Sequence, residues 1–405
     1  SQRTVGRSLS GFQKEALVRA TKTSHTWRLV SDEGPYLNGH DAAPCPLAFL
    51  SVGMAASFTE EIYALASQQN IKIRDMRLIL NNYYTMKGSM LKRTMVGGAE
   101  NIELEVEIDC DLDDEPLLNF LTSATYASPL NGLMRGVHES LFKLSKNDIE
   151  LTTEKVRELS ISQLPKPSHC FSDAKPLNTN LTLVEPVGIT PKKIVSKGTS
   201  SGGSSLSHDQ DRRLNIGALA TLRADGIKEI QQMQYSPHGT SFRFLSSEDG
   251  RAPDANSLIS AGIGFCFMTQ FGRFVSMLNL NLTDYKIIQD THYSLAGGSD
   301  KTGKPGKALP IETHVYLDTT ESDSVAQEML DVSEQTCFLN AFCRTDLKTK
   351  LKILANSYLL YLLLFSFSKL HRYLFSKIKK FIFYFKITHT RFYRAHFFLP
   401  NSCSL

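Results

Sequence analysis

The sequence predicts an α+β protein in which one structural unit occurs twice and the two copies pair within one chain. Three observations carry this. Residues 43–135 return at 252–344 in a fixed register: Gly53 falls on Gly262, Phe58 on Phe267, Asp75 on Asp284, Tyr84 on Tyr293, Gly88 on Gly297 and Leu130-Asn131 on Leu339-Asn340, each 209 positions later and without a gap. A register held over so long a stretch marks two large copies of a domain-sized unit, not a solenoid of short repeats. Within each copy the apolar spacing alternates between helical and period-two patterns. Between the copies lies a stretch rich in Pro, Gly and Ser, whose composition cannot hold a core and reads as a flexible linker.

Taken in order, residues 1–23 read as a polar, partly helical arm. Thr26-Trp27-Arg28-Leu29-Val30 is strand-like, and a Gly/Pro/Asn loop follows from Gly34 to Ala42. A long helical pattern runs from Pro46 to Gln69. After it, Ile71-Lys72-Ile73 and Met76–Leu80 alternate as strands do. Gly97-Gly98 reads as a turn, and Ile102–Ile108 as a strand with one apolar and one acidic face. Helices are expected over 115–125 and 129–142. The first unit therefore covers residues 25–159, the linker 160–213 and the second unit 214–352. Upstream of the fixed register, Trp27-Arg28-Leu29 matches Phe242-Arg243-Phe244 after a loop of different length.

From Ile353 the composition changes. Ile353–Ser368 is uncharged and rich in Leu, Tyr and Phe; Lys369–Arg394 is basic and aromatic. The apolar run falls short of the ~20 residues that span a bilayer. The second unit is complete before it, so residues 353–405 are expected to be a non-native extension, the alternative being an interfacial membrane anchor with a basic flank.

The chain has 405 residues and a formal charge of only +4, much of the excess in the tail, which gives no argument for a nucleic-acid partner. Its seven cysteines are odd in number and lack framework spacing, which argues against a secreted disulfide scaffold and for a reducing compartment. No C-x-x-C pair or zinc-ligand spacing occurs, so neither a metal nor a cofactor is expected. No apolar signal segment opens the chain. A cytoplasmic setting is expected, the alternative being mitochondrial or plastid, since Ser1–Lys14 carries Arg3, Arg7 and Lys14 and no acid.

The candidate chemistry lies in the second unit. Leu258–Phe271 is an apolar, Ala/Gly-rich helix with Cys266 in its middle, and Cys337 follows in a second helical pattern, 333–344. The stretch Asn256-Ser257-Leu258-Ile259-Ser260-Ala261-Gly262-Ile263-Gly264-Phe265-Cys266-Phe267, followed by Cys337 with Leu339-Asn340-Ala341, resembles the OsmC/Ohr family of thiol peroxidases. The resemblance covers about 25–145 and 214–350. It implies sheets outside long central helices in an intertwined dimer, here supplied as a pseudo-dimer by the two copies, with homodimers of the chain also possible. It further implies Cys266 as the attacking thiol, Cys337 as its resolving partner, an organic hydroperoxide as substrate and a dithiol as reductant. The family's thiolate-pairing arginine is placed by this resemblance at Arg223, in Arg223-Ala224-Asp225-Gly226.

The sequence departs from the family in two further ways. The 209 register puts Ser57 opposite Cys266 and Ser128 opposite Cys337, so the first unit lacks both sulfurs and is expected to be structural. Asn256 stands where the family has a Glu ten positions before the attacking cysteine. Reduction of a peroxide needs a thiolate, and burial disfavours one, so a guanidinium from Arg223 or Arg243 is expected beside Cys266. Cys343, His292 and His314 read as structural. The competing expectation is a non-catalytic structural or small-molecule-binding pseudo-dimer with vestigial cysteines.

Overall fold

A computed structural model describes residues 1–175, 179–188, 209–233, 239–294 and 297–355. The Gly/Ser run of the linker and almost all of the tail lie outside the described residues. Among the described ones the fold is mixed α+β, with seven α-helices and several sheets.

The first half begins with three strands, β1 (Gln2–Ser8), β2 (Lys14–Ala20) and β3 (Thr26–Ser31). Helix α1 (Pro46–Gln68) follows, then the long strands β4 (Ile73–Gly88) and β5 (Val96–Cys110), helices α2 (Asp114–Ala127) and α3 (Pro129–Arg135), and β6 (Leu141–Lys146). A connecting region holds β7 (Ile149–Leu151), β8 (Arg157–Glu158), the short α4 (Cys170–Asp173) and β9 (Val184–Gly188). The second half has β10 (Gln210–Leu222), β11 (Lys228–Met233), β12 (Ser241–Ser246), α5 (Ala255–Leu278) and β13 (Asp284–Thr291). It continues with β14 (Tyr293–Ser294), β15 (Lys307–Ala308), β16 (Glu312–Asp318), α6 (Asp323–Thr336), α7 (Phe338–Arg344) and β17 (Thr349–Ala355). Helices α2 and α6 lie 209 positions apart at both ends, and so do α3 and α7.

Each large sheet draws on both halves. One runs β3-β2-β1-β13-β16-β6-β7, with β8 also on β6; the other runs β17-β5-β4-β10-β11-β12-β9. The opening strands of one half thus pair antiparallel with the long strand of the other, Val5 opposite Ile288 and Ile216 opposite Asn82. This interleaving places residues from distant parts of the sequence around the two central helices.

Helices α1 and α5 are buried along nearly their whole length and pack on each other. Pro46 starts α1, where a missing N–H costs nothing. Asp254 caps α5 by accepting the Ser257 N–H at 2.9 Å, and Asn279 ends it in the left-handed region. The two helices approach closely at their glycines. A Cβ on Gly262 would stand 2.8 Å from the Leu50 nitrogen, and one on Gly53 would stand 2.9 Å from the Ala255 oxygen. Only residues without a Cβ permit that distance. Length and apolarity would let α5 cross a membrane, but here it is an interior helix, with 89% of its apolar window buried.

Four sequence expectations change. Residues 1–23 form two paired strands, not a helical arm. Gly97-Gly98 lies inside β5, and the turn falls before it. The helix expected over 129–142 stops at Arg135 and the chain turns into β6. The linker region is partly ordered: Tyr316 donates to the Leu164 carbonyl at 2.8 Å, Lys166 pairs with Asp318 at 2.6 Å, and β9 adds to the sheet edge at β12. A hydrogen bond and an ion pair to β16 and strand pairing with β12 hold those stretches, which composition alone does not reveal.

Candidate functional site

Cys266 lies midway along α5 and is buried. Cys337 is the residue that ends α6 and caps α7, and its sulfur accepts the Asn340 N–H at 3.4 Å. The kink between the two helices turns this cap back onto α5. Cys337 and the Leu339 backbone lie close enough to Cys266 to act on its sulfur. Both thiols are free in the structure. Burial pushes the Cys266 thiol well above its ordinary range, and the neighbouring Cys337 pushes it the same way.

A cavity of about 20 Å³ touches Cys266, with room for about one water. Its walls come from both halves: Glu33 and Tyr36 from the loop after β3, Arg212 from β10, and Thr269 and Arg273 from α5. Thr269 and Arg273 lie three and seven positions after Cys266, hence on the same face of the helix. The Thr269 hydroxyl donates to Glu33 Oε1 at 2.8 Å. Lys14, fully buried on β2, stands 4.0 Å from Glu33 and donates to the Phe12 carbonyl at 2.6 Å. Burial pushes the Glu33 carboxyl up, against the pull of Lys14 and Thr269. The same burial pushes the Lys14 ammonium down, against the pull of Glu33 and Asp32.

Two guanidiniums share this space. Burial, followed by the charge of Arg212, lowers Arg273 to about 10, and Arg273 donates to Gln270 at 3.0 Å. Arg212 is 8% exposed, sits 5.4 Å from the centre of the Tyr36 ring, and has no hydrogen-bond partner at Nε or Nη2 among the described residues. A buried guanidinium with open donors is an anion-stabilising group.

The expected arginine is not here. Arg223 lies in the turn after β10, partly exposed, and pairs with Asp225 at 2.9 Å; it does not line the Cys266 cavity. Arg243 is held by Glu185 and Glu229. A turn residue with its own carboxylate two positions away is satisfied locally and gains nothing by reaching inward. Arg273 carried a sequence signal, two helical turns after Cys266. Arg212, Lys14 and Glu33 carried none, because only the interleaved sheets bring them there. Asn256 also belongs elsewhere: it lines a second cavity with Ser57. The acid facing Cys266 is Glu33. His314 is a buried strand residue accepting from the Leu164 N–H at 3.3 Å, and Cys343 is buried in α7.

The Ser57 hydroxyl, which lines that second cavity, lies 2.8 Å from the buried Ser128 hydroxyl, and Ser128 caps α3 by accepting the Leu130 N–H. The serine pair has the same 71-residue separation as Cys266 and Cys337.

The chain is similar to known proteins over part of its length. A family model described as OsmC-like protein matches residues 248–352. Among solved structures, an OsmC-like hydroperoxide resistance protein from Jannaschia sp. CCS1 matches with 21% identity over 31% of this chain and 81% of that one, at a TM-score of 0.18. No curated protein matches. Residues 248–352 thus carry an OsmC-like domain, and this span holds both Cys266 and Cys337.

Proposed function

We propose that the chain is a tandem OsmC-like pseudo-dimer that reduces organic hydroperoxides at Cys266, with Cys337 as the resolving thiol. The observation that carries this reading is the proximity of two buried free thiols beside a cavity lined by Arg212 and Arg273. The duplication is supported by the identical 209 spacing of α2 with α6 and of α3 with α7, and by the serine pair at the positions that match the two cysteines.

The chemistry balances as follows. The Cys266 thiolate attacks the distal peroxide oxygen; the O–O bond breaks, the sulfur becomes a sulfenic acid, and the alkoxide takes a proton to leave as the alcohol. The Cys337 thiol then attacks the sulfenic sulfur, an S–S bond forms and water leaves. A dithiol reductant returns both thiols and is itself oxidised to a disulfide. In the closed site burial holds Cys266 protonated, so the thiolate must form as the substrate opens the cavity and the open donors of Arg212 come into play. Glu33 fixes the cluster through Thr269 and Lys14. Free cysteines among the described residues suit a reducing, cytoplasmic setting.

One observation favours the non-catalytic alternative: the cavity of about 20 Å³ admits no organic hydroperoxide without movement of its walls. Turnover of cumene hydroperoxide with dithiothreitol separates the two. The wild-type chain is expected to consume the peroxide catalytically and Cys266→Ser to have no activity above background. Equal rates for the two proteins, or no turnover by either, would overturn the peroxidase reading.

A further inference from the structure

The cavity beside Ser57 has a volume of about 160 Å³, several times that beside Cys266. Four carboxylates line it: Glu60 and Glu61 from α1, Glu248 from the loop after β12, and Asp254 at the start of α5. Among its described lining residues the one basic side chain is Lys22, which faces Asp300 at 3.9 Å. Buried Lys228 reaches Glu60 at 2.7 Å and Glu248 at 3.6 Å. Glu61 and Asp254 meet neutral donors: Glu61 accepts from the Ser299 hydroxyl and backbone, and Asp254 from Ser257. Lys228 thus serves Glu60 and Glu248, and no basic side chain pairs with Glu61 or Asp254 among the described residues.

An independent feature points to a donor-rich ligand. Gln2, on β1, lines the same cavity, is 5% exposed, and has no hydrogen-bond partner at Oε1 among the described residues. A buried acceptor without a donor is costly, and a ligand N–H relieves it. Among the described residues no group of three metal-binding side chains is arranged to hold a metal ion. The acids stand on α1 on one side and on the chain between β12 and α5 on the other, so a ligand with a positive charge at each end meets both.

We propose that this cavity binds a small aliphatic diamine, one ammonium toward the α1 acids and the other toward the acids before α5. Burial lifts Glu61 to about 7, which an arriving ammonium would reverse. The site is separate from the thiols, so its test does not depend on peroxide turnover.

The experiment is calorimetric titration of the full chain with 1,4-diaminobutane, with uncharged 1,4-butanediol and magnesium chloride as comparators. One diamine per chain is expected, with no heat from the diol or the metal. Glu61→Gln should weaken the diamine about tenfold or more, the loss of one charged hydrogen-bonding partner. Asn256→Lys places an ammonium on a half-buried wall residue and should abolish binding; it decides the matter if circular dichroism shows that Glu61→Gln does not fold. Absence of diamine binding, equal binding of the diol, preference for magnesium, or unchanged affinity in a folded Asn256→Lys chain would each overturn the proposal.

Discussion

Replacing Lys14 by Met tests whether the buried cluster beside Cys266 is ionic. Lys14 and Glu33 are both buried and 4.0 Å apart. Two unit charges at that distance attract by about 4 kcal/mol at an effective dielectric of about 20. Removing one partner of a buried pair leaves the other uncompensated and costs about 3–5 kcal/mol. Met keeps the length and the apolar stem, so packing changes little. The cost also depends on pH. Burial holds the Glu33 carboxyl above its unfolded value, and loss of Lys14 raises it further. A raised carboxyl contributes stability that is full below its unfolded pKa, about 4.3, and is lost as pH rises through the folded value. The penalty of Lys14→Met should therefore be larger at pH 8 than at pH 5. Adding Glu33→Gln removes the stranded charge and should recover about 1–3 kcal/mol. Urea unfolding of wild type, both single variants and the double variant at both pH values measures all of this. A cost below about 1 kcal/mol at both pH values, or a double variant no better than the sum of the singles, would mean that the pair is neutral in the fold.

Two further expectations follow from the packing. Stoichiometric organic hydroperoxide should convert Cys266 and Cys337 into one intramolecular disulfide, leaving Cys45, Cys110 and Cys170 reduced; peptide mapping after alkylation reads this, and Cys266 driven straight to sulfinic acid would remove Cys337 from the mechanism. Gly262→Ala should destabilise by about 1–3 kcal/mol, because its methyl would meet the Leu50 nitrogen and Pro46 oxygen of α1, which are backbone atoms. Gly264→Ala, whose nearest neighbour is the flexible end of Ile287 at 3.2 Å, should cost clearly less or stabilise; equal urea midpoints for the two would refute the helix-contact argument.

The helices were the legible part of the fold. The stretch read as helical from Pro46 to Gln69 ends one residue earlier, and that read over 115–125 spans Asp114–Ala127. Strand β1 was illegible for a physical reason. It pairs with both β2 and β13, yet its buried face carries Gln2, Thr4 and Gly6. Gly6 is small because a Cβ there would stand 2.8 Å from the Met268 sulfur. A strand whose inward face is polar or lacks a side chain shows no apolar alternation, whatever its burial.

The two sulfurs were visible because one unit supplies both, on α5 and at the start of α7. The charges around them were hidden by the exchange of strands between halves. Comparing the two cavities shows which charges belong to the scaffold. Lys14 and Lys228 each open the second strand of their sheet segment, and Glu33 and Glu248 each lie two residues past the third. A buried lysine facing a glutamate therefore occurs in both places, 4.0 Å from it in one and 3.6 Å in the other. What differs is one helical face. On α5 it reads Cys266, Thr269, Gln270, Arg273; on α1 the positions 209 earlier read Ser57, Glu60, Glu61, Ala64. These positions follow the helical spacing of three, four and seven, so they look into one space. Exchanging Thr, Gln and Arg for Glu, Glu and Ala adds two acids and removes a cation. A thiol at Ser57 would face those acids and be driven toward its protonated form. Serine rather than cysteine at position 57 is consistent with the electrostatics of that cavity.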